Sequence, residues 1–348
     1  MHVGTIPVKL AEMLPPQPSR LWALSRQAGV THAVSGTRAN AFIDRDEKPW
    51  DYMPLLRLKN AFESEGLTLW VLEGGGPDLN RAKLGLPGRD EEIEGFRAMV
   101  RNMGRLGIPI VCWNWMAQFG WMRTTTGIRS RGGALVTGYD DADLRDAPPT
   151  EAGEVAEDHL WDTLRYFIEA VVPVAEEAGV KLALHPDDPP LPRIRGVARI
   201  IRSPEAMERA TELVPSPSNG ITYCQGNFAA MDADIPATIR GFAGRGKIHF
   251  VHFRDVRGSA ARFEETFHDD GKTNMLDAMR AYFDVGFDGP MRPDHVPTMA
   301  GEANDHPGYE AMGRLFALGY MKGLMEAAAA ERAGAFAGAS AAAEGVSR

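Results

Sequence analysis

Four side chains of the kinds that bind divalent cations follow four successive apolar stretches of the chain. His185 comes after "KLAL", Cys224 comes after "GITY", His252 lies within "KIHFVHF", and Asp294 comes after "GPMRP". The intervals between them are 39, 28 and 42 residues, each close to the length of one strand plus one helix. If each stretch is a strand of a parallel sheet, the four side chains meet at one edge. There two imidazoles, a thiolate and a carboxylate could enclose one cation.

Each of these residues also has a structural explanation. A single histidine at a strand end is more often hydrogen-bonded than a ligand, a single cysteine is most often a small apolar core residue, and Asp294 could belong to a turn. His249 competes with His252, but we favour His252 because it lies nearer the strand end and shares its face with Arg254. The coincidence of four such residues at consecutive strand ends favours a metal site. The mixed donors suit Mn2+, Fe2+, Co2+ or Zn2+, and the thiolate argues against Mg2+ and Ca2+.

Further polar residues near these strand ends have the chemistry to handle a substrate. Arg254 follows His252 by two residues and could bind a carboxylate through two parallel hydrogen bonds. His295 is next to Asp294, which is a suitable position for a general acid or base, and Tyr309 lies near the start of the last helical pattern. Residues in the loops are expected to hold substrate hydroxyls or to orient metal ligands: Asn114, Arg123, Asp187 and Asp188.

Short apolar runs alternate with amphipathic segments along nearly the whole chain. Parallel strands joined by helices are the expected result, and in one domain of this size a closed (β/α)8 barrel fits best. A doubly wound sheet is the rival, but no G-x-G-x-x-G stands between a strand and a helix. Strands are predicted at 31–36, 67–74, 108–115, 180–185, 220–224, 247–253 and 289–294, with an earlier one within 2–9. Helices are predicted at 19–28, 90–106, 154–178, 203–213, 274–285 and 307–329, with Asp90 and Ser203 as N-caps.

Composition restricts the possible partners and the location. The formal net charge is -9 in 348 residues, which argues against nucleic acid because phosphate binding needs a basic face. Two cysteines do not make a disulfide framework, and neither a signal peptide nor a membrane span is visible. We therefore expect a cytoplasmic protein with a small-molecule partner, and we expect it to be a homo-oligomer. One barrel domain is predicted over residues 1–330, with a flexible alanine-rich tail at 331–348.

In these segments the sequence resembles the mannonate dehydratase family of metal-dependent sugar-acid lyases. The motifs are, in order, "LPGRDEEIEGF", "CWNWM", "LALHPDDPP", "NGITYCQGNF", "IHFVHFRDV", "RFEETFHDDG", "RPDH" and "HPGYEAMGRL", and the likeness runs from about Gln27 to Gly323. The resemblance implies a xylose-isomerase-like TIM barrel that removes water from D-mannonate to give 2-keto-3-deoxy-D-gluconate. It also implies several residue roles: Mn2+ (sometimes Fe2+) bound by His185, Cys224, His252 and Asp294, proton transfer by His295 and Tyr309, a carboxylate bound by Arg254, and a substrate contact from His268.

Part of the family pattern is altered in this chain. Leu79 and Asn80 stand where the family has a His-Glu pair, and Thr125 stands in "RTTT" where it has "RTD". Asn274 replaces an expected aspartate, and Val296 replaces the glycine of "PDHG". The predicted metal ligands are intact, so the predicted activity is metal-assisted dehydration of D-mannonate or a related aldonate.

Two other functions fit the same residues. A metal-dependent isomerase or epimerase on this barrel would move the same proton and eliminate nothing. A sugar-acid-binding protein without turnover would keep the metal, and the altered loop at Leu79 and Asn80 motivates that possibility. The sequence does not order His295 and Tyr309 as base and acid.

Overall fold

A computed structural model describes residues 5–38 and 40–334 as a closed barrel of eight parallel strands. Around the barrel each strand pairs with its neighbours in the chain, and the first strand pairs with the eighth. The predicted (β/α)8 barrel is therefore confirmed. In chain order the barrel strands are Lys9–Met13, His32–Ser35, Thr68–Glu73, Ile110–Asn114, Lys181–His185, Asn219–Cys224, Ile248–Phe253 and Pro290–Pro293.

The strands predicted between residues 31 and 294 are all present, with bounds that agree within two residues. The first strand was placed wrongly, because it begins at Lys9 instead of lying within 2–9. Pro7 lacks the N–H that a strand interior needs, so pairing starts after it. Residues 1–4 are outside the described part of the chain.

Helices connect the strands and cover the barrel. The predicted helices are all present, and Ser203 is an N-cap whose side chain accepts a hydrogen bond from the Ala206 N–H. The prediction for Asp90 was wrong, since Gly88 precedes the helix and Asp90 lies in its first turn. The helices are Arg20–Gln27, Tyr52–Ser64, Asn80–Leu84, Arg89–Leu106, Glu157–Ala178, Pro204–Glu212, Gln225–Ala230, Ile235–Gly244, Met275–Asp284 and Ala311–Arg332, with short 3-10 turns at Arg131–Gly133 and Asp141–Leu144.

A helix that crosses a membrane must be both long and apolar. Within residues 5–38 and 40–334 no helix combines the two. The last helix continues to Arg332, and residues 335–348 of the predicted tail are outside the described residues. The division into one domain and a tail stays a prediction.

A four-stranded antiparallel sheet, not predicted from the sequence, is built from the segments that follow the fourth and seventh barrel strands. In spatial order its strands are Val256–Ser259, Arg262–Glu265, Leu135–Asp140 and Thr125–Arg129. Both segments leave the C-terminal ends of barrel strands, so we call this the rim sheet. A short hairpin lies in the loop after the fifth strand. Its two strands have two residues each, Arg193–Ile194 and Val197–Ala198.

Side chains of alternating strand positions fill the barrel interior. A small apolar cluster inside the barrel includes Val71, Ile110, Cys112 and Phe250, and the larger core lies between strands and helices. Because side chains alternate along a strand, Phe250 and His252 point into the barrel and His249 points outward. The His249 ring instead contacts the Leu182 carbonyl oxygen at 3.1 Å. His249 is therefore a core histidine, which settles its competition with His252.

The last helix begins with a close approach to the loop that carries His295. A Cβ at Gly313 would overlap with the Pro297 carbonyl oxygen and the Val296 side chain, whereas a Cβ at Gly319 of the same helix would meet nothing. Val296 N–H also donates to the Gly308 carbonyl at 2.8 Å. Only glycine at position 313 allows this packing.

We expect Gly313→Ala and Gly319→Ala to change stability in opposite directions. Gly313→Ala overpacks a buried contact and should lower the free energy of unfolding by about 1–3 kcal/mol. Gly319→Ala removes backbone freedom in an exposed helix position and should raise it by about 0.5–1 kcal/mol. Urea unfolding followed by circular dichroism measures both. Equal effects of the two substitutions would contradict the close approach.

His249 should make stability depend on pH. Burial lowers the pKa of His249 from 6.5 to about 4, so the folded protein resists a proton that the unfolded chain accepts. The stability that this group contributes to folding is fully present above pH 6.5. It is lost as the pH falls towards 4, and the loss reaches about 3 kcal/mol. His249→Gln should flatten the dependence of the unfolding free energy on pH in that window, and His306→Gln, at an exposed histidine, should not. Identical slopes in the wild type and His249→Gln would refute this assignment.

Candidate metal and substrate site

Pairing between neighbouring strands aligns the candidate residues at the C-terminal rim of the barrel. Asn114 is level with His185 on the adjacent strand, Cys224 is level with His252, and His252 is level with Arg292. The assumption that strand ends bring these side chains to one edge is therefore correct.

Three of the four predicted metal ligands form a compact group. Ligand atoms of His185, Cys224 and His252 all lie within 4.8 Å of one another, and the two imidazole centroids are 5.0 Å apart. Nδ1 of His185 contacts the Pro186 carbonyl oxygen at 2.7 Å, which leaves its Nε2 available. The His252 ring is buried and neither nitrogen forms a well-aligned hydrogen bond, with Glu73 Oε1 3.2 Å from Nε2 and Asp294 Oδ2 3.6 Å from Nδ1. The group therefore fits a cation chemically, because soft and borderline donors converge around a buried imidazole whose Nδ1 has no hydrogen-bond partner.

Asp294, the fourth predicted ligand, borders this group. One carboxylate oxygen, Oδ2, lies 3.6 Å from His252 Nδ1 and 3.0 Å from Arg254 Nε. The other, Oδ1, accepts from Arg292 at 2.7 Å and from the Tyr309 hydroxyl at 3.2 Å. Burial would raise the pKa of Asp294, but the neighbouring guanidiniums, Arg292 above all, outweigh it and hold that pKa well below its usual range. Ligation by Asp294 stays a prediction that this position supports.

Arg254 is directed at protein acceptors and not at open space. Its Nη1 donates to both oxygens of Glu265, at 3.1 and 2.9 Å, and its Nη2 donates to Asp188 at 2.8 Å and to Asn227. The Arg254 side chain is 1% exposed. To bind a substrate carboxylate, as predicted, Arg254 would have to exchange one of these partners. In the structure it holds three carboxylates in place, those of Asp188, Glu265 and Asp294.

Arg123 and Asp188, both predicted to hold substrate hydroxyls, are paired with each other inside the protein. Arg123 forms a two-bond contact with Asp188, at 2.6 and 3.1 Å, and its Nε donates to Glu265 at 3.1 Å. Burial would raise the pKa of Asp188, but Arg123 and Arg254 outweigh it and lower that pKa. Asp188 is thus an ionised internal partner of two arginines.

Asp187 fixes the proline-rich loop, in line with an orienting role. Its Oδ2 accepts from the Ile201 N–H at 2.8 Å, and its N–H donates to the Ile201 carbonyl at 2.8 Å. His268 was predicted to contact substrate, but it is 0% exposed, and burial lowers its pKa to about 4. Its contact with substrate stays a prediction.

The predicted proton-transfer pair lies beside Asp294. His295 Nδ1 is 2.9 Å from Glu265 Oε1 and 3.4 Å from Arg123 Nη2, and His295 Nε2 is 3.7 Å from Asp294 Oδ1. The rings of His295 and Tyr309 meet edge to face at 5.4 Å. His295 has a φ of 38°, a left-handed conformation that is uncommon outside glycine and is concentrated at functional sites.

Several residues of the site were missed in the sequence. Glu73 ends the third strand, and the rule that identified Asp294 would have identified it. Burial would raise the pKa of Glu73, but Arg292 and His252 outweigh it and lower that pKa. Glu73, Cys112 and His252 form a second close group, although burial, with the Glu73 carboxylate, raises the pKa of the Cys112 thiol. Trp121 is 40% exposed, and its ring lies 5.0 Å from that of His295.

A cavity of about 430 Å³ opens beside this cluster at the ends of the third and fourth strands. Lys83 Nζ donates within it to Asn114 Oδ1 and to the Met116 carbonyl oxygen, both at 3.1 Å. Burial lowers the pKa of Lys83 to about 8. Leu79 and Asn80, two of the altered family positions, line the same cavity, so the departures fall where a substrate would fit.

Comparison with known proteins gives a consistent result. Residues 18–154 and 150–334 match the profile of the family described as D-mannonate dehydratase (UxuA). Mannonate dehydratase 2 of Halalkalibacterium halodurans is 37% identical over 306 residues, covering 80% of this chain and 88% of that protein. Mannonate dehydratase of Thermotoga maritima is 36% identical over 313 residues, covering 80% and 86%.

Solved structures agree with the sequence relatives. The crystal structure of mannonate dehydratase from Streptococcus suis serotype 2 superposes with a TM-score of 0.86 at 34% identity, covering 94% of this chain and 95% of that one. A xylose isomerase domain protein from Planctomyces limnophilus has a TM-score of 0.59 at 12% identity, covering 92% and 98%, which shows the barrel type alone. The chain belongs to the D-mannonate dehydratase family, and it is a sugar-acid dehydratase, a hydro-lyase.

Proposed function

We propose that this protein removes water from D-mannonate, or from a closely related aldonate, to give a 2-keto-3-deoxy acid. The observation that carries the proposal is the group of His185, Cys224 and His252, whose ligand atoms lie within 4.8 Å of one another beside the His295–Tyr309 pair. Such a group can hold a cation next to residues able to move protons, as dehydration of a sugar acid requires.

The cation would be held by His185, Cys224, His252 and Asp294. Nitrogen, sulfur and oxygen donors together suit Mn2+ or Fe2+, and Co2+ or Zn2+ are compatible with the same donors. When bound, the cation supplies Lewis acidity that offsets the negative charge developing as the C2 proton leaves.

His295 is proposed as the base that removes the C2 proton. Burial would raise the pKa of Glu265, but Arg254 and Arg123 outweigh it and lower that pKa to about 2, so Glu265 is an ionised acceptor. At 2.9 Å from His295 Nδ1 it fixes the proton on that nitrogen. The Nε2 lone pair is then left to accept a proton from substrate.

Tyr309 is proposed as the acid that protonates the departing C3 hydroxyl. Burial and the nearby Asp294 carboxylate raise the pKa of the phenol well above its usual value, so the hydroxyl keeps its proton at neutral pH. It donates to Asp294 Oδ1 at 3.2 Å and can turn to a leaving group beside that carboxylate. The C2–H and C3–O bonds then break with one proton taken and one given, and water leaves. The remaining C2=C3 enol gains a proton at C3 and loses its hydroxyl proton, which gives the 2-keto-3-deoxy acid.

The cavity with Lys83 and Asn114 is proposed to hold the rest of the sugar acid. Lys83 has one N–H beyond the two it gives to Asn114 and Met116, enough for one substrate hydroxyl. The Trp121 ring, 40% exposed, lies 5.0 Å from the His295 ring. A chain of hydroxylated carbons would extend between them. Arg254 would serve mainly to hold the carboxylates around the cation, with a direct substrate contact only if it exchanges a partner.

The remaining expectations concern setting and assembly. We propose a cytoplasmic location, which agrees with two buried cysteines that are not bonded to each other, and a homo-oligomer acting on a small sugar acid. Size-exclusion chromatography with light scattering tests the assembly.

The purified protein, stripped of metal and reloaded with Mn2+, should dehydrate at least one acid in a panel of hexonates and related aldonates. Mass spectrometry should record the loss of one water, and a carbonyl reagent should detect the 2-keto product. The metal-free protein treated in parallel is the control. Conversion to an isomer of unchanged mass would favour an epimerase or isomerase, and metal-dependent binding without any product would favour a non-catalytic binding protein.

His295→Asn and Tyr309→Phe should separate the base from the acid. Each should lower kcat by about 10²–10⁴-fold, the usual contribution of a general acid or base. In D2O, Tyr309→Phe should still exchange the substrate C2 proton for deuterium, because the base remains, whereas His295→Asn should exchange nothing. Tyr320→Phe, in the helix that follows Tyr309 and away from the site, is the matched control. Exchange retained by His295→Asn and lost in Tyr309→Phe would reverse the two roles.

A further inference from the structure

Glu73 reaches His252 from the far side of the barrel. It ends the third strand, and His252 lies on the seventh, four strands away in either direction around the closed sheet. Despite this separation, Glu73 Oε1 lies 3.2 Å from His252 Nε2. The contact spans the barrel mouth. It depends on the closed shape of the barrel, because the third and seventh strands are not hydrogen-bonded to each other.

Arg292 holds Glu73 in this position. Its Nη2 donates to Glu73 Oε1 at 2.9 Å and its Nε donates to Oε2 at 3.1 Å, which fixes the carboxylate plane. Its Nη1 donates to Asp294 Oδ1 at 2.7 Å. One guanidinium thus sets two carboxylates on either side of the His252 ring, with Glu73 facing Nε2 and Asp294 facing Nδ1 at 3.6 Å.

We propose that Glu73 and Arg292 are positioning residues that make Nδ1 of His252 the metal-binding atom. Glu73 only accepts hydrogen bonds, so it favours the tautomer with the proton on Nε2. The lone pair then lies on Nδ1, the nitrogen that faces the predicted ligand Asp294. A histidine ligand whose other nitrogen donates to a carboxylate binds metal more tightly and in one orientation. This inference rests on the proposed metal centre.

The alternative is that Glu73, Cys112 and His252 hold a cation of their own, since their ligand atoms also lie within 4.8 Å of one another. Both Glu73 oxygens are already engaged by Arg292, and the Thr222 hydroxyl donates to the Cys112 sulfur at 3.2 Å. A second cation would have to displace both partners. The geometry favours Glu73 as support for one cation site.

Metal titration of Glu73→Gln tests the proposal. The variant keeps the shape of the side chain but replaces one carboxylate oxygen with an NH2 group. That group cannot accept a hydrogen bond from Arg292 or His252. We expect the apoprotein to bind one Mn2+ in both forms, with the dissociation constant raised about 10–100-fold in the variant, as measured by calorimetry. The matched control is Glu12→Gln, a buried glutamate that pairs with Arg314 at 2.9 Å and does not contact His252, and its affinity should be unchanged.

A second readout is independent of bound metal. Nitrogen NMR of the metal-free protein should show His252 as the single Nε2–H tautomer in the wild type and in Glu12→Gln, and as a mixture in Glu73→Gln. Unchanged affinity together with an unchanged tautomer in Glu73→Gln would overturn the proposal, as would two Mn2+ ions in the wild type and one in the variant. A wild type that binds no Mn2+ would refute the proposed metal centre, and the tautomer would still decide the role of Glu73.

Discussion

The site depends on a balance of charges buried at the mouth of the barrel. A buried charge is tolerated only when it is paired, because removing it from water costs several kcal/mol. Four carboxylates meet three guanidiniums here: Glu73, Asp188, Glu265 and Asp294 against Arg123, Arg254 and Arg292. This leaves one negative charge, and a Cys224 thiolate would make two. One divalent cation would bring the sum to zero. The net charge of the cluster and its donor atoms therefore both suit such a cation.

The same balance explains why so many predicted substrate contacts are internal. Arg123, Arg254 and Asp188 have the chemistry to bind a sugar acid, but each satisfies another member of the cluster. Their work is to hold Glu265 and Asp294 at fixed distances, and these two in turn orient His295 and Tyr309. Under the proposed function, substrate would contact the less committed residues around the cavity. The site is therefore built as an ionic frame with a smaller number of working groups inside it.

The features that could be predicted from the sequence are those that depend on patterns within short segments of the chain. Strand periodicity and strand-to-strand spacing gave the barrel and the meeting of His185, Cys224 and His252, because a parallel sheet brings strand ends to one edge. The contacts of Arg123 with Glu265, and of Glu73 with His252, join residues far apart in the chain, and no period encodes such pairs. The rim sheet was missed for the same reason, since its strands come from two separate segments.

The positions that depart from the family motifs divide into two kinds. Asn274 caps the helix that follows it, accepting from the N–H groups of Leu276 and Asp277 at 3.2 Å, a task that an aspartate would do equally well. Val296 would contact a Cβ at Gly313, so it belongs to the packing of the last helix. Thr125 is exposed on the rim sheet.

Leu79 and Asn80 are different, because they line the cavity beside Lys83. The family has an ionisable pair there, and this chain presents an apolar and a neutral side chain instead. The change cannot alter the ionic frame, with which neither residue makes an ion pair or a hydrogen bond among the described residues. It alters the polarity of the space that the outer carbons of a sugar acid would occupy. Any difference in substrate choice from other family members should therefore arise at this loop.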